Sequence, residues 1–290
     1  MMQPFCKGAK MDDLTYNTPW RQTASAIYRM PSDGRIWGTY EADVSRTMAF
    51  MKKKKDAGIS LTLTHMLIAA VARAYRDDVP ELNCFARRGK IIHRDSVGVF
   101  VSVDIPESRE MTGFLIERAE EKGVDEIYDI MTEKVEKYRA RNESGAVTSK
   151  YIFAKIPWLL RRPLFLVFRF ILATLGLPIK AIKADPSSFG SVLISNIGTH
   201  GLQYGMAAIL PVSNLPVVVL MGLIEKKPVV RNGRVVVRDM LPLSCTLDHR
   251  VCDGSMGGRL ARAVQRYLLD PESLDIAVPD EPLAVKVAVK

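Results

Sequence analysis

With 290 residues and 48% hydrophobic side chains, the chain can bury one large core or two smaller ones. Its four cysteines, Cys6, Cys84, Cys245 and Cys252, form no Cys-x-x-Cys pair and no small-domain disulfide framework, so a reducing, cytoplasmic setting is the simpler reading. A formal charge of +9 suits solubility, an anionic ligand, acidic partner domains or an anionic lipid surface; with none of the usual DNA- or RNA-binding motifs, nucleic acid is set aside as a partner.

In chain order, Met1 to Tyr16 is polar and reads as an arm, and Met1 to Asp12 has no apolar core for a signal peptide. Trp20 to Met30 reads as a first helix, with Ala24, Ile27 and Tyr28 inward. Arg35 to Val44 alternates as a strand does. Ser45 to Ala57 is helical, and its run Lys52 to Lys55 reads as a solvated face. Thr64 to Tyr75 is apolar nearly all round and predicts a buried helix, with His65 in a core or capping role at its start.

Gly89 to Ile92 and Ser96 to Asp104 read as strands, and Met111 to Ile116 as a further extended piece. Val124 to Arg141 is an amphipathic helix with Val124, Ile127, Met131, Val135 and Tyr138 on one face. Tyr151 to Ile182 is strongly apolar but broken by Arg161, Arg162, Pro163, Arg169 and Pro178. Its unbroken pieces fall short of the roughly 20 apolar residues that a bilayer span needs. Arg and Trp interleaved with Leu and Phe fit a helical hairpin lying on a membrane surface. They fit equally a pair of helices packed against a neighbouring subunit or over the active site.

Ser191 to Ser195 and Leu215 to Ile224 are strands of the buried type. Val229-Val230 and Val235 to Val237 flank Asn232-Gly233, a strong hairpin turn. Leu241 to Leu247 is a last apolar strand, closed by Asp248-His249. The turn Arg250 to Gly254 leads into a helix with Met256, Leu260, Val264, Tyr267 and Leu268 on one face, ending at Asp270-Pro271. Helices early and a block of strands late imply an α+β fold with a mixed sheet.

By residue type alone, a histidine near an aspartate is more often structural than catalytic. The order is more specific. Asp248-His249-Arg250-Val251-Cys252-Asp253-Gly254, after an apolar strand and before an amphipathic helix, resembles the His-x-x-x-Asp-Gly signature of the chloramphenicol acetyltransferase-like superfamily. The flanking Asp248 and Arg250 make it most similar to the acyltransferase core of 2-oxo acid dehydrogenase complexes. Pro80-Glu81-Leu82-Asn83 with the stretch Gly89 to Val103, and Phe189 to Gly198, resemble two further stretches of that family in the same order. The resemblance covers about Trp20 to Leu274. At Ile105 to Glu110 the chain departs from the family's usual strand.

The resemblance implies a chloramphenicol acetyltransferase-like fold, a mixed β-sheet with flanking helices, and acyl transfer with acyl-coenzyme A as substrate. His249 matches the general base that takes the proton from the acceptor. Asp253 matches a carboxylate that fixes the site through an arginine, with Arg21 and Arg29 the candidates. Ser195 matches the hydroxyl that hydrogen-bonds the tetrahedral oxyanion. Without the resemblance, Ser195 reads as a strand serine bonded to backbone. Cys252 is set aside as a nucleophile because adjacent side chains on the turn point differently. No metal is expected, since His249, Cys252 and Asp253 crowd one turn without a second ligand pair.

The resemblance also implies a homotrimer, or a higher assembly of trimers, with each site between two subunits. The expected domains are an arm at 1–18, a catalytic domain at 19–274 with an apolar insertion at about 145–185, and a tail at 275–290. With so short an arm ahead of the core, the acceptor is a lipoyl group on a separate protein or a different thiol, hydroxyl or amine. The insertion, at 151–182, keeps a membrane surface open as a partner, which would place the protein at the inner face of a membrane. The alternative is a catalytically idle trimeric scaffold or membrane-associated assembly protein.

Overall fold

The computed structural model describes residues 34–105, 110–139, 157–180 and 184–277. All the elements below belong to one unit, Arg35–Lys290. The first helix expected at Trp20 to Met30, and the tail beyond residue 277, lie outside the described residues.

The strands are β1 (Arg35–Asp43), β2 (Cys84–Arg87), β3 (Lys90–His93), β4 (Val99–Ile105), β5 (Glu110–Ile116), β6 (Val192–Asn196), β7 (Val217–Met221), β8 (Glu225–Arg231) and β9 (Arg234–Asp248). The helices are α1 (Ser45–Asp56), α2 (Leu63–Asp77), α3 (Val124–Arg139), α4 (Trp158–Arg169) and α5 (Gly254–Leu269). The main sheet runs β1-β9-β7-β6-β4-β5, with β8 pairing the first half of β9. β4, β6 and β7 are parallel and the other pairs antiparallel, so the sheet is mixed, as expected. β2 and β3 form a separate hairpin.

Alternate residues of a strand face opposite sides of the sheet. Val99, Val101, Val192, Ile194, Val217, Val219, Leu243 and Leu247 thereby turn one face inward, into a core shared with α2 and α5. The side chains of α2 are buried from Leu63 to Tyr75 with the sole break at Thr64, as its all-round apolar sequence requires. His65 Nδ1 accepts the N–H of Thr62 at 2.8 Å, which caps the helix. Burial pushes the His65 imidazole down to about 4, so it sits neutral in the core.

Three expectations change. The two strands read at Val235 to Val237 and Leu241 to Leu247 are one, β9, running straight through Pro242. Pro242 sits where β9 leaves β8 and takes up β7. Its carbonyl accepts from Gly222 N–H in that gap at 2.8 Å, and its missing N–H faces the same gap, so no ladder bond is lost. The lysine run is not solvated throughout: Lys54 bridges Asp125 and Asp275. Its burial opposes the charge, yet the two carboxylates hold its pKa above the usual value. The hairpin expected in Tyr151 to Ile182 is, over its described part, a single run. α4 passes through Pro163 and continues as a π-helical segment, Phe170–Leu175, to a left-handed Gly176 at φ 71°.

Elsewhere the local signals hold. Asn232 and Gly233 take φ values of 50° and 74°, both left-handed, as a two-residue hairpin turn with this sequence demands. Asn83, from the Pro-Glu-Leu-Asn stretch, is buried and structural. Its amide donates to Arg94 O and Ser96 O at 3.1 Å each, and its oxygen accepts from Ser191 Oγ at 2.5 Å. One side chain so ties the start of β6 to the segment that leads into β4.

Candidate active site

β9 delivers His249 to the end of the sheet, where Asp248 N–H bonds Pro216 O at 2.8 Å and fixes the strand's exit. The turn that follows holds the imidazole. His249 Nδ1 lies 2.8 Å from Cys252 O, and a carbonyl can only accept, so the proton is on Nδ1. Nε2 is then the basic nitrogen, turned away from the turn and without a hydrogen bond among the described residues. His249 is exposed on the single chain. An exposed, tautomer-fixed imidazole can take a proton from a substrate group brought to Nε2.

Cys252 is buried, and burial pushes its thiol up to about 12, which agrees with its exclusion as a nucleophile. Its contribution to the site is its backbone carbonyl. Cys84 and Cys245 are likewise free thiols.

Asp253 begins α5. Its Oδ1 accepts Met256 N–H at 2.9 Å, a helix N-cap. Among the described residues it forms no ion pair, and Arg21 and Arg29 lie outside them. Among the described residues, the carboxylate–arginine pair on this turn is made by Asp248. Arg250 Nε reaches its Oδ1 at 2.9 Å, Arg250 Nη2 its Oδ2 at 2.5 Å, and Arg250 N–H its Oδ1 at 3.0 Å. This clasp, one residue either side of His249, was legible only as the letters Asp-His-Arg. The cap predicts a separation of roles. Asp253→Ala should lower stability by about 1 kcal/mol, whereas Asp253→Asn keeps the cap and should cost almost nothing. Thermal melts of the two variants check this; equal losses would mean that the charge, not the cap, carries the stability.

Ser195 lies near the end of β6, half-buried, on the sheet face opposite α2. Its hydroxyl makes no hydrogen bond among the described residues. The chain then turns sharply: a Cβ on Gly198 would sit 2.5 Å from Gly222 O, so no side chain fits there. Asn196 Oδ1 is buried and has no hydrogen-bond partner among the described residues.

The sheet does not bring Ser195 and His249 together. Ser195 pairs with Leu220, and Leu220 with Ser244, so Ser195 is level with Ser244 two strands over. His249 lies five residues beyond Ser244. The separation is ~17 Å along the strands and ~10 Å across them. Within one chain these groups cannot contact the same substrate atom.

This sheet, its helices and a histidine turn at the end of β9 define an acyltransferase-core architecture. The chain belongs to the family described as 2-oxoacid dehydrogenases acyltransferase (catalytic domain), whose model matches residues 34–146 and 179–276. It is 27% identical over 252 residues to the lipoamide acyltransferase component of the branched-chain alpha-keto acid dehydrogenase complex of Bacillus subtilis, covering 82% of this chain and 47% of that one. The chain spans about half the length of the curated relatives it matches. Among solved structures, the dihydrolipoamide acetyltransferase of Azotobacter vinelandii aligns at TM-score 0.62 and 20% identity, over 84% of each chain. A probable dihydrolipoamide acetyltransferase of Listeria monocytogenes aligns at 0.60 and 20%, over 88% of this chain and 98% of that one. These two likenesses establish the fold.

Proposed function

We propose that the protein moves an acyl group between coenzyme A and an acceptor thiol, hydroxyl or amine, at sites built between the subunits of a homotrimer. The observation that carries this reading is the opposed placement of Ser195 and His249. Each is at an end of the sheet, each has its functional atom free of partners among the described residues, and the two are too far apart to act within one chain. A neighbour that sets its Ser195 strand end against the His249 turn supplies what one chain lacks.

The chemistry follows from the two groups. His249 Nε2 takes the proton of the acceptor X–H as X attacks the thioester carbonyl. The C–X bond forms and the carbonyl oxygen becomes an oxyanion. The Ser195 hydroxyl donates to that oxygen, stabilising a charge present only at this stage. The C–S bond then breaks, and the imidazolium returns its proton to the sulfur of coenzyme A. Cys252 O keeps Nδ1 protonated throughout, so Nε2 is always the working nitrogen.

The Azotobacter vinelandii enzyme is described with a serine, a histidine and an asparagine in its catalytic mechanism, the asparagine four residues beyond the histidine. Asp253 stands at that step from His249. Asn and Asp are equally good helix N-caps, which supports a positioning role for this residue. The relatives' names, lipoamide and dihydrolipoyllysine acyltransferases, support a lipoyl group as the acceptor. The break in the family match between residues 146 and 179 supports a catalytic domain at 19–274 interrupted by an insertion.

The test is release of free coenzyme A thiol from a panel of acyl-CoA thioesters, each offered dihydrolipoamide, a simple alcohol or an amine. Release above the uncatalysed rate with at least one pairing is expected. If no pairing gives it, acyl transfer is rejected and the idle scaffold becomes the better reading.

A further inference from the structure

The helical rod formed by α4 and the π segment after it is the least explained part of the molecule. It lies in the stretch, residues 147–178, that the family model leaves unmatched. Leu159, Leu160, Leu164, Leu166, Val167 and Phe170 are exposed by 44–66%. At 100° per residue they share an arc of roughly 160°. On the opposite side Leu172 is buried, and Phe165 and Phe168 are half-buried with ring centroids 6.3 Å apart. Arg162 and Arg169, both exposed, flank the apolar arc along one edge. The rod is anchored at its far end, where Arg88 donates to Thr174 O and Leu175 O at 3.1 Å each. The apolar arc therefore faces outward by construction.

We propose that this face docks on an anionic membrane surface, independently of the acyltransfer reading. Charge selects the occupant. From residue 144 to residue 184 the sequence has seven cations (Lys150, Lys155, Arg161, Arg162, Arg169, Lys180 and Lys183) and no Asp or Glu. An apolar face edged by arginines, without a compensating carboxylate, matches the boundary between acyl chains and anionic headgroups. A second copy of the same face would bring like charges together. Crossing the bilayer is a different matter: among the described residues no helix is long and apolar enough. The rod lies in the surface, with its arginines at headgroup level.

The experiment is flotation of the full chain with vesicles of equimolar phosphatidylcholine and phosphatidylserine, and with phosphatidylcholine alone, alongside gel filtration. The protein should float with the mixed vesicles and far less with the neutral ones. Arg162→Ala with Arg169→Ala should lower the partition coefficient by about 10- to 30-fold. Leu164→Glu with Val167→Glu should lower it by on the order of 100-fold. Both variants change exposed side chains, so the melting temperature and elution volume should match the parent's. Failure of the parent to float, or equal flotation with neutral vesicles, overturns the proposal. So does a Leu164→Glu, Val167→Glu chain that floats like the parent. A parent that stays in solution while that variant changes elution volume would assign the face to a second copy instead.

Discussion

His249→Ala is expected to lower the turnover of acyl transfer by ~10²–10⁴-fold, with little change in the KM for the acyl-CoA. The reasoning begins at Nδ1. Its bond to Cys252 O fixes the ring's tautomer and orientation, so the lone pair at Nε2 is placed before any substrate arrives. Removing the ring removes the nitrogen assigned as the proton acceptor. It leaves the fold largely untouched, because His249 is exposed and the turn is closed independently by Val251 N–H to Asp248 O and by the Asp253 cap. A loss in kcat with constant KM is the mark of an interaction made in the transition state. Unchanged turnover would reject the assignment of the base.

The second large effect concerns assembly. A His249→Ala chain and a Ser195→Ala chain should each be poor, the serine variant by ~10²–10³-fold if its hydroxyl donates to the oxyanion. Exchanged into mixed trimers, they should regain activity well above either parent. The register explains why. A chain carrying His249→Ala still has an intact Ser195 at the other end of its sheet, ~17 Å along the strands from its own defect. Set against a neighbour with an intact His249, it completes one wild-type site. If exchange of subunits, verified by a tag on one parent, restores nothing, the site is not shared between chains and the trimer reading fails with it.

Much of this molecule was legible from local pattern, because local pattern is set by the chain's own geometry. The period-2 runs of β1 and β4 and the short apolar run of β6 needed no partner to be read, nor did the all-round apolar α2 or the Asn232-Gly233 turn. Strand and helix each present side chains at a spacing set by the backbone. The same is true of the stretch from Asp248 to Gly254. Its residue order identifies a strand end, a turn and a helix start, and the structure places His249 and Asp253 there.

The remainder depended on contacts between distant residues. Pro242 reads as a strand breaker until the sheet shows that its missing N–H falls in the gap where β9 changes partners. Lys54 reads as one solvated lysine of four until α3 and the chain after α5 bring Asp125 and Asp275 to it. The apolar stretch after α3 reads as two helices because Arg161-Arg162-Pro163 interrupts it. Yet α4 runs on through Pro163 at the loss of that residue's ladder bond, and the rod continues to Gly176. Sequence alone placed Ser195 and His249 on one list of site residues, and it could do no more, since distance along a chain says nothing of distance across a sheet. The strand order β9-β7-β6 and its register set them at opposite ends, because a parallel step from β6 to β7 followed by an antiparallel step to β9 reverses the direction in which the chain runs.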